Sequence, residues 1–322
     1  MANSVLNAPH FQNEDEAFAY VEARLWPNGP VCHHCGNADQ RRIRKMAGET
    51  TRKGLYKCNA CRKPFTVRMG TIFESSHLPL HLWLQVIHLF CCSKKGISTR
   101  QIQRMLQCSM KTAWFLGHRI REAMKTSDLA PLGGPGQIVE VDETIFGKVE
   151  GAPKKVSGGR SGFRNVTLSL VERGGSARSF HVDGVAMSDV LPIIRANIHP
   201  KSTIMTDELS SYGKLSEDFA RHNTVIHGKG EYVRYTNAMI FPTGEPYVIH
   251  TNTIESYFSV FKRGMRGVYQ HCAEKHLHRY LCEFDFRHSN REKLGINDLA
   301  RADIALQGVV GKRLTYRTTA HH

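Results

Sequence analysis

Two sets of side chains in this sequence have types and spacings suited to chemistry: four cysteines and a pair of carboxylates. Cys32, Cys35, Cys58 and Cys61 form two CxxC pairs separated by 22 residues. Such knuckles deliver four thiolates to one tetrahedral Zn²⁺, and the gap is that of a hairpin whose length can vary. No βαβ pattern surrounds them, which argues against a redox dithiol. His33 and His34 sit inside the first knuckle, where the cysteines already complete the ligand set. Cys91, Cys92, Cys108, Cys272 and Cys282 lie in apolar or helical stretches and read as buried free thiols. The carboxylates occur in Ile138 to Gly147 (IVEVDETIFG), which alternates as a strand, so Glu140 and Asp142 share one face while Val139 and Val141 share the other. An acid on a buried strand is costly unless something neutralises it.

The elements that must hold these groups follow from periodicity. Arg164 to Glu172 and Arg178 to Val185 read as two further strands, antiparallel neighbours of the first. Asp189 to Ile198 is helical, Ser202 to Asp207 is a fourth strand ending in an acid, and Asn223 to His227 is a fifth. Asn252 to Gly264 is a helix with Ile254, Phe258 and Phe261 on its packed side. Lys262 follows Glu255 by seven residues, two helical turns, so both face one groove, and Asn252, three residues before Glu255, shares that face. Glu143, Asp183, Asp189 and Glu208 read as turn, cap or solvent residues, and Glu140 as a salt-bridge partner or auxiliary base beside Asp142. His250, just before that helix, could serve the acids' chemistry or be structural.

Upstream the spacing is helical from Leu80 to Met124, with Leu82, Val86, Leu89 and Phe90 as one stripe. Ser98 is a candidate N-cap before Ile102, Met105 and Leu106, and Ser109 before Ala113, Leu116, Ile120 and Met124. Two short helices so joined resemble a helix-turn-helix, which would present Met110, Lys111 and Thr112 to a major groove with Arg119 and Arg121 further along. Leu129 to Gly136 (LAPLGGPG) reads as a linker. The expected division is a zinc ribbon over 1–75, a helix-turn-helix-like region over 76–128, a linker over 129–136, an α/β catalytic region over 137–300 and a tail over 301–322.

The composition narrows the partner. A chain of 322 residues, 41% hydrophobic and 23% charged, is neither disordered nor a disulfide miniprotein. Its 44 Lys and Arg against 29 Asp and Glu leave 44 − 29 = +15, which favours a polyanion such as nucleic acid. Ten cations lie between Arg41 and Arg68 against one acid, Glu49, a ratio suited to tracking phosphates. Gly147 to Gly162, with five glycines and Lys148, Lys154, Lys155 and Arg160, reads as a basic hairpin tip that could clamp DNA. The start lacks a basic segment followed by an apolar core, and the apolar run Leu82 to Cys92 is about half a membrane span, so a cytoplasmic, nucleoid-associated protein with no membrane partner is expected.

From about Cys32 to Arg291 the sequence resembles bacterial insertion-sequence DDE transposases with an N-terminal zinc ribbon. The stretches that carry the resemblance are RMGTIFESSHLPLHLW, CSKKGIS, VDETIFG, TDELSSY and HTNTIESYFSVFKRGMRGVYQH, in that order. The resemblance implies a ribonuclease-H-like mixed sheet flanked by helices, preceded by the zinc ribbon and the helix-turn-helix-like module. It implies that Asp142, Asp207 and Glu255 are the catalytic acids, holding two Mg²⁺ or Mn²⁺ ions, with Lys262 as the associated cation. Asn252 occupies a position that serves as the third ligand in some relatives; a carboxylate suits a hard cation better, which favours Glu255. The implied activity is cleavage of phosphodiester bonds at the ends of an insertion sequence and joining of the freed 3′-hydroxyls to target DNA. The implied partners are double-stranded DNA, as terminal inverted repeats and target, and further copies of the chain. A DNA-binding regulator with an inactive acidic fold, or a structure-specific nuclease on the same fold, would share many of these motifs.

Overall fold

The computed structural model describes residues 4–126, 129–147, 149, 164–208, 215–239 and 246–315. The chain divides into two compact units, residues 1–125 with 296–322, and residues 126–295.

The first unit opens with α1 (Pro9–Gln12) and α2 (Glu14–Leu25), the latter capped by the Asn13 side chain, which accepts from the amides of Asp15 and Glu16. A three-stranded antiparallel ribbon follows, made of β1 (Ile43–Lys45), β2 (Tyr56–Cys58) and β3 (Pro64–Phe65). Three helices complete the sequential part: α3 (Leu80–Cys92), α4 (Thr99–Leu106) and α5 (Met110–Met124). Ser98 and Ser109 are the N-caps expected, accepting from the amides of Gln101 and Thr112. A helix over Asp298–Gln307 belongs to this unit. Its Asp303 accepts from the Tyr20 hydroxyl at 2.6 Å and Arg24 Nε at 2.5 Å, and its Arg301 donates to the Cys91 carbonyl at 2.6 Å.

The packing corrects three details of the sequence reading. In α3 the buried residues include Leu80, Trp83, Leu84, Val86, Ile87 and Phe90, whereas Leu82 and Leu89 are half-buried, because this helix is covered on most sides and has no single stripe. Met105, expected in the packed stripe of α4, is 49% exposed. Arg119 and Arg121, expected to face DNA, are buried; Arg119 donates to the carbonyls of Ile72 and Leu314, and the Arg121 guanidinium lies 5.3 Å from the centroid of the Phe90 ring. A guanidinium that satisfies buried carbonyls holds loops together and is not presented to a groove.

The second unit is built on a five-stranded mixed sheet: β4 (Ile138–Phe146), β5 (Asn165–Glu172), β6 (Ala177–Val182), then α6 (Met187–Asn197), β7 (Thr203–Thr206), α7 (Leu215–Asp218) and β8 (Arg221–Thr224). The spatial order is β6-β5-β4-β7-β8, antiparallel from β4 through β6 and parallel from β4 through β8. This is the ribonuclease-H-like arrangement expected. The fifth strand runs over Arg221–Thr224, two residues earlier than the sequence indicated, and His227 begins a 3-10 turn. A hairpin of β9 (Arg234–Met239) and β10 (Pro246–Ile249) leads to α8 (Asn252–Gly264), and α9 (Leu277–Ser289) follows. One face of the sheet presents Val139, Val141, Leu168 and Leu170 to Val190 and Ile194 of α6. The opposite side carries a second core, in which Val171 and Ala177 meet Ile254, Phe258 and Phe261 of α8 and Leu281 and Phe284 of α9. Helices therefore cover both faces. The basic stretch from Gly147 to Gly162 falls, except for Gly147 and Val149, outside the described residues.

Because the buried Arg119 serves the carbonyls of Ile72 and Leu314, Arg119→Ala is expected to cost about 2 kcal/mol and to lower the melting midpoint by several degrees. An unchanged midpoint in thermal denaturation would contradict the structural role.

Candidate functional site

Of the two candidate centres, the cysteine cluster is fixed by backbone turns of the ribbon. The Sγ atoms of Cys32, Cys35, Cys58 and Cys61 all lie within 4.8 Å of one another. Cys32 and Cys61 are 3.7 Å apart, and Cys35 and Cys58 are 3.8 Å apart. A tetrahedron with Zn–S bonds of about 2.3 Å has edges of about 3.8 Å, so this donor set fits Zn²⁺. The amide of Cys61, with burial opposing and that of Ala60 assisting, lowers the Cys58 thiol to about 7. Against the Asn37 amide, burial and the neighbouring thiols push Cys35 up to about 12, so the four sulfurs hold their protons as one group that a bound cation would displace. The apolar support is Tyr56 and Phe65, against which Trp26 packs edge-on with ring centroids 5.6 and 5.8 Å away. His33 and His34 are not ligands. His34 Nε2 is 3.1 Å from the Pro64 carbonyl, and His33 lies over Gly70, where φ is +69° and an added Cβ would stand 2.2 Å from the ring. Nine of the ten ribbon cations are exposed. Arg68 is the exception: it donates to the carbonyls of Phe73, Ser76 and Leu78 and so is part of the scaffold.

The acidic centre is set by β4. Strand alternation sends Val139 and Val141 into the α6 core and Glu140 and Asp142 to the other side. Asp142 is half-buried near the middle of the strand, and its Oδ1 accepts from the Glu143 amide at 2.8 Å. Asp207 follows directly on β7, and Glu255 lies in the first turn of α8. Burial, then the charge of Asp207, then those of Glu143 and Glu255 push the Asp142 carboxyl up to about 8. Asp207 and Glu255 thus act electrostatically on Asp142. The three acids do not gather as closely as the thiols: among the described residues only the cysteine group brings three or more such ligand atoms within 4.8 Å of one another. Oxygen donors with unbalanced negative charge suit a hard divalent cation.

Glu255 is steered by neighbours the sequence did not reveal. Its Oε1 accepts from Thr251 Oγ1 at 3.0 Å and lies 3.4 Å from His227 Nε2. Asn252 is the exposed first residue of α8, and its backbone amide donates to His250 Nδ1 at 3.2 Å. Lys262 stands two turns along; its Nζ lies 5.8 Å from the centroid of the Phe258 ring, and no described ion pair joins it to Glu255. Glu208 and Asp189 match their modest expectations. Glu208 accepts from the Gly228 amide at 3.0 Å, and Asp189 lies in the first turn of α6.

Glu140 differs from the rest in having no exposure at all. Its Oε1 accepts from Arg173 Nε at 2.6 Å and Thr253 Oγ1 at 2.9 Å, and its Oε2 accepts from the Ile254 amide at 2.8 Å. His250 Nδ1 is 3.3 Å from Oε1. Arg173 also donates to the carbonyls of Val248 and His250, both at 2.7 Å. Burial alone would raise the Glu140 carboxyl, but His250, Arg173 and the Ile254 amide outweigh it and hold it below the usual range. Arg173 escaped the sequence reading because an arginine in a Glu-Arg-Gly-Gly turn looks like a solvent residue; only the unexplained buried acid on β4 signalled a missing partner.

Both units have counterparts among known proteins. Residues 131–289 match the family model of the ISXO2-like transposase domain, and residues 12–64 match that of the transposase zinc-ribbon domain. The chain is 27% identical over 308 residues to an uncharacterized protein in transposable element ISH50 of Halobacterium salinarum, across 88% of this chain and 94% of the relative.

The crowding at Asp142 gives a stability sign. Its folded pKa is raised above the unfolded carboxylate value, so stability is lost as pH climbs from about 4 to about 8. Asp142→Asn keeps the oxygen that accepts from Glu143 and removes the charge. In zinc-loaded protein without added Mg²⁺ or Mn²⁺ it should therefore be more stable than wild type at pH 8, by about 1–2 kcal/mol, and equal near pH 4. Equal midpoints at both pH values in a thermal melt would show that Asp142 bears no such load.

Proposed function

We propose how this chain, which belongs to the insertion-sequence transposases that pair a zinc ribbon with an ISXO2-like transposase domain, performs its reaction. It binds the ends of its element as double-stranded DNA, cuts to free 3′-hydroxyls and joins these to target DNA. The observation that supports this reading is a half-buried Asp142 on the central strand whose carboxyl is pushed up to about 8 by burial first and then by the charges of Asp207, Glu143 and Glu255. A perturbed carboxylate on a central strand, with further acids just after a neighbouring strand and in a helix's first turn, suits cation-dependent phosphoryl transfer.

Asp142, Asp207 and Glu255 are the residues that would hold Mg²⁺ or Mn²⁺. When bound, two such ions would polarise the scissile phosphate and stabilise its attacking and leaving oxygens. Support for Glu255 over Asn252 as the third ligand comes from its charge acting on Asp142 and from the Thr251 and His227 contacts that aim its carboxylate. In the first reaction a water oxygen bonds to phosphorus, the bond to the 3′ oxygen breaks, and that oxygen takes a proton. In the second, the freed 3′ oxygen attacks a target phosphate and displaces its 3′ oxygen in turn, so no covalent protein intermediate is needed. Lys262 would contact the phosphate backbone beside the acids.

Recognition falls to the first unit. The exposed cations Arg41, Arg42, Arg44, Lys45, Arg52, Lys53, Lys57, Arg62 and Lys63 would track phosphates, and Met110, Lys111 and Thr112 at the start of α5 would meet base edges. The Zn²⁺ is structural and holds the ribbon's shape. Joining two ends to one target calls for at least two copies of the chain.

The test uses the zinc-loaded full chain with Mg²⁺ and a labelled duplex carrying the element's own terminus, followed by a plasmid target. Wild type should nick at the element boundary and transfer the labelled strand to the plasmid; Asp142→Asn should bind the duplex equally and do neither. Binding without nicking by wild type would support a regulator instead, and nicking without transfer a nuclease.

A further inference from the structure

Glu140 does more than sit beside Asp142 in sequence. Its two carboxylate oxygens divide their work: Oε2 takes the Ile254 amide at the N-terminus of α8, and Oε1 takes the Thr253 hydroxyl and Arg173. Helix N-termini leave amides without intrahelical partners, and the helix dipole favours an anion there. Thr251, which would be the capping residue of α8, makes no side-chain cap bond; its hydroxyl donates instead to the Glu255 carboxylate. The cap is thus supplied from another element, 114 residues earlier in the chain. Arg173 extends the link by holding the carbonyls of Val248 and His250, the last residues before the helix.

We propose that Glu140 is a positioning residue: it fixes the start of α8 to β4 and thereby sets where Glu255 stands relative to Asp142. Strand β4 then determines two of the three acids, Asp142 directly and Glu255 through the Glu140 carboxylate and the first turn of α8. The inference rests on the reading of Asp142, Asp207 and Glu255 as one cation site. It adds a residue that touches neither substrate nor cation, and its link differs from ordinary core packing because the contact falls on the residue next to Glu255.

Two variants separate positioning from general support. Glu140→Gln removes the charge that meets the helix and Arg173 together. Thr253→Val leaves the buried Glu140–Arg173 pair intact and removes only one helix-side bond. Each is made in the zinc-loaded full chain and compared with wild type by hydrogen exchange of residues 252–256, by Mn²⁺ binding followed by electron paramagnetic resonance, and by nicking of the labelled terminus. Thr253→Val should speed exchange in that segment and weaken Mn²⁺ binding about threefold with little change in melting midpoint. Glu140→Gln should weaken Mn²⁺ binding about tenfold or more, the scale on which residues supporting metal ligands act. Adding Glu140→Gln to Glu255→Gln should cost less than about twofold further, because the ligand being positioned is already lost.

The proposal is overturned if both variants bind Mn²⁺ as wild type does, or if Glu140→Gln and Glu255→Gln reduce Mn²⁺ binding independently. Should Glu140→Gln fail to fold, the Thr253→Val result decides alone. The exchange and Mn²⁺ measurements need no DNA, so failure of the positioning role is distinguishable from failure of the transposase chemistry. Faster exchange and weaker Mn²⁺ binding without wild-type nicking would reject the proposed reaction and keep the positioning role. Normal nicking with unaltered Mn²⁺ binding in both variants would do the opposite.

Discussion

A carboxylate with no access to water must be met by donors on every side, and the second unit of this protein is arranged around that requirement at Glu140. Removing one partner from such a group costs far more than the intact set contributes, so its neighbours are tightly constrained. The guanidinium of Arg173, the hydroxyl of Thr253 and the amide of Ile254 all reach it within 3 Å. Those three donors come from the β5–β6 turn and from the start of α8. Satisfying one buried acid therefore fixes the sheet and the helix to each other next to Asp142 on β4 and at the first turn of α8, which carries Glu255.

Two more polar clusters hold the same helix along its length. In its middle, Tyr257 donates to Asp285 at 2.6 Å, and Ser179 of β6 meets the same carboxylate through its hydroxyl and its amide, both at 2.8 Å. Beyond its end, Tyr269 and Arg287 both donate to the buried Glu283. Between these polar contacts lie Ile254, Phe258 and Phe261, which supply apolar burial without direction. Apolar packing alone would let a helix slide or turn by fractions of an ångström; hydrogen-bonded anchors at both ends and the centre do not. The zinc ribbon achieves comparable definition with very little core, four thiolates and a few aromatic rings replacing the packing that a short three-stranded ribbon cannot provide.

Much of this was legible in the sequence where a pattern had one physical cause. The alternation of IVEVDETIF could only be a strand with Glu140 and Asp142 on one side, and α8 begins and ends where its periodicity predicts. The CxxC spacing specified the metal ligands. Strand β8 was misplaced because Arg-His-Asn-Thr has no apolar residue to announce it, and it is recruited by pairing with β7. Arg68, Arg119 and Arg121 read as DNA contacts because sequence shows charge and not burial; each is instead partnered inside the fold. Arg173, Thr251 and His227 were unreadable for a related reason. Each lies in or beside a turn, and its meaning comes from an acid that is distant in sequence or one helical turn away.

The charge balance now has a spatial meaning. The ribbon's exposed cations face solvent, while in the second unit Glu140 is enclosed by donors and Asp142 feels the charges of Asp207 and Glu255. An enclosed acid builds structure, and an acid raised by its neighbours' charges is a candidate to hold a cation. The most direct test of that distinction is affinity cleavage with Fe²⁺, ascorbate and peroxide on the zinc-loaded full chain, with the cut positions read by mass spectrometry. Cuts clustered beside Asp142, Asp207 and Glu255, and suppressed by excess Mg²⁺, are the predicted result. Cuts confined to other segments, or insensitive to Mg²⁺, would contradict the assignment of these three acids to one cation site.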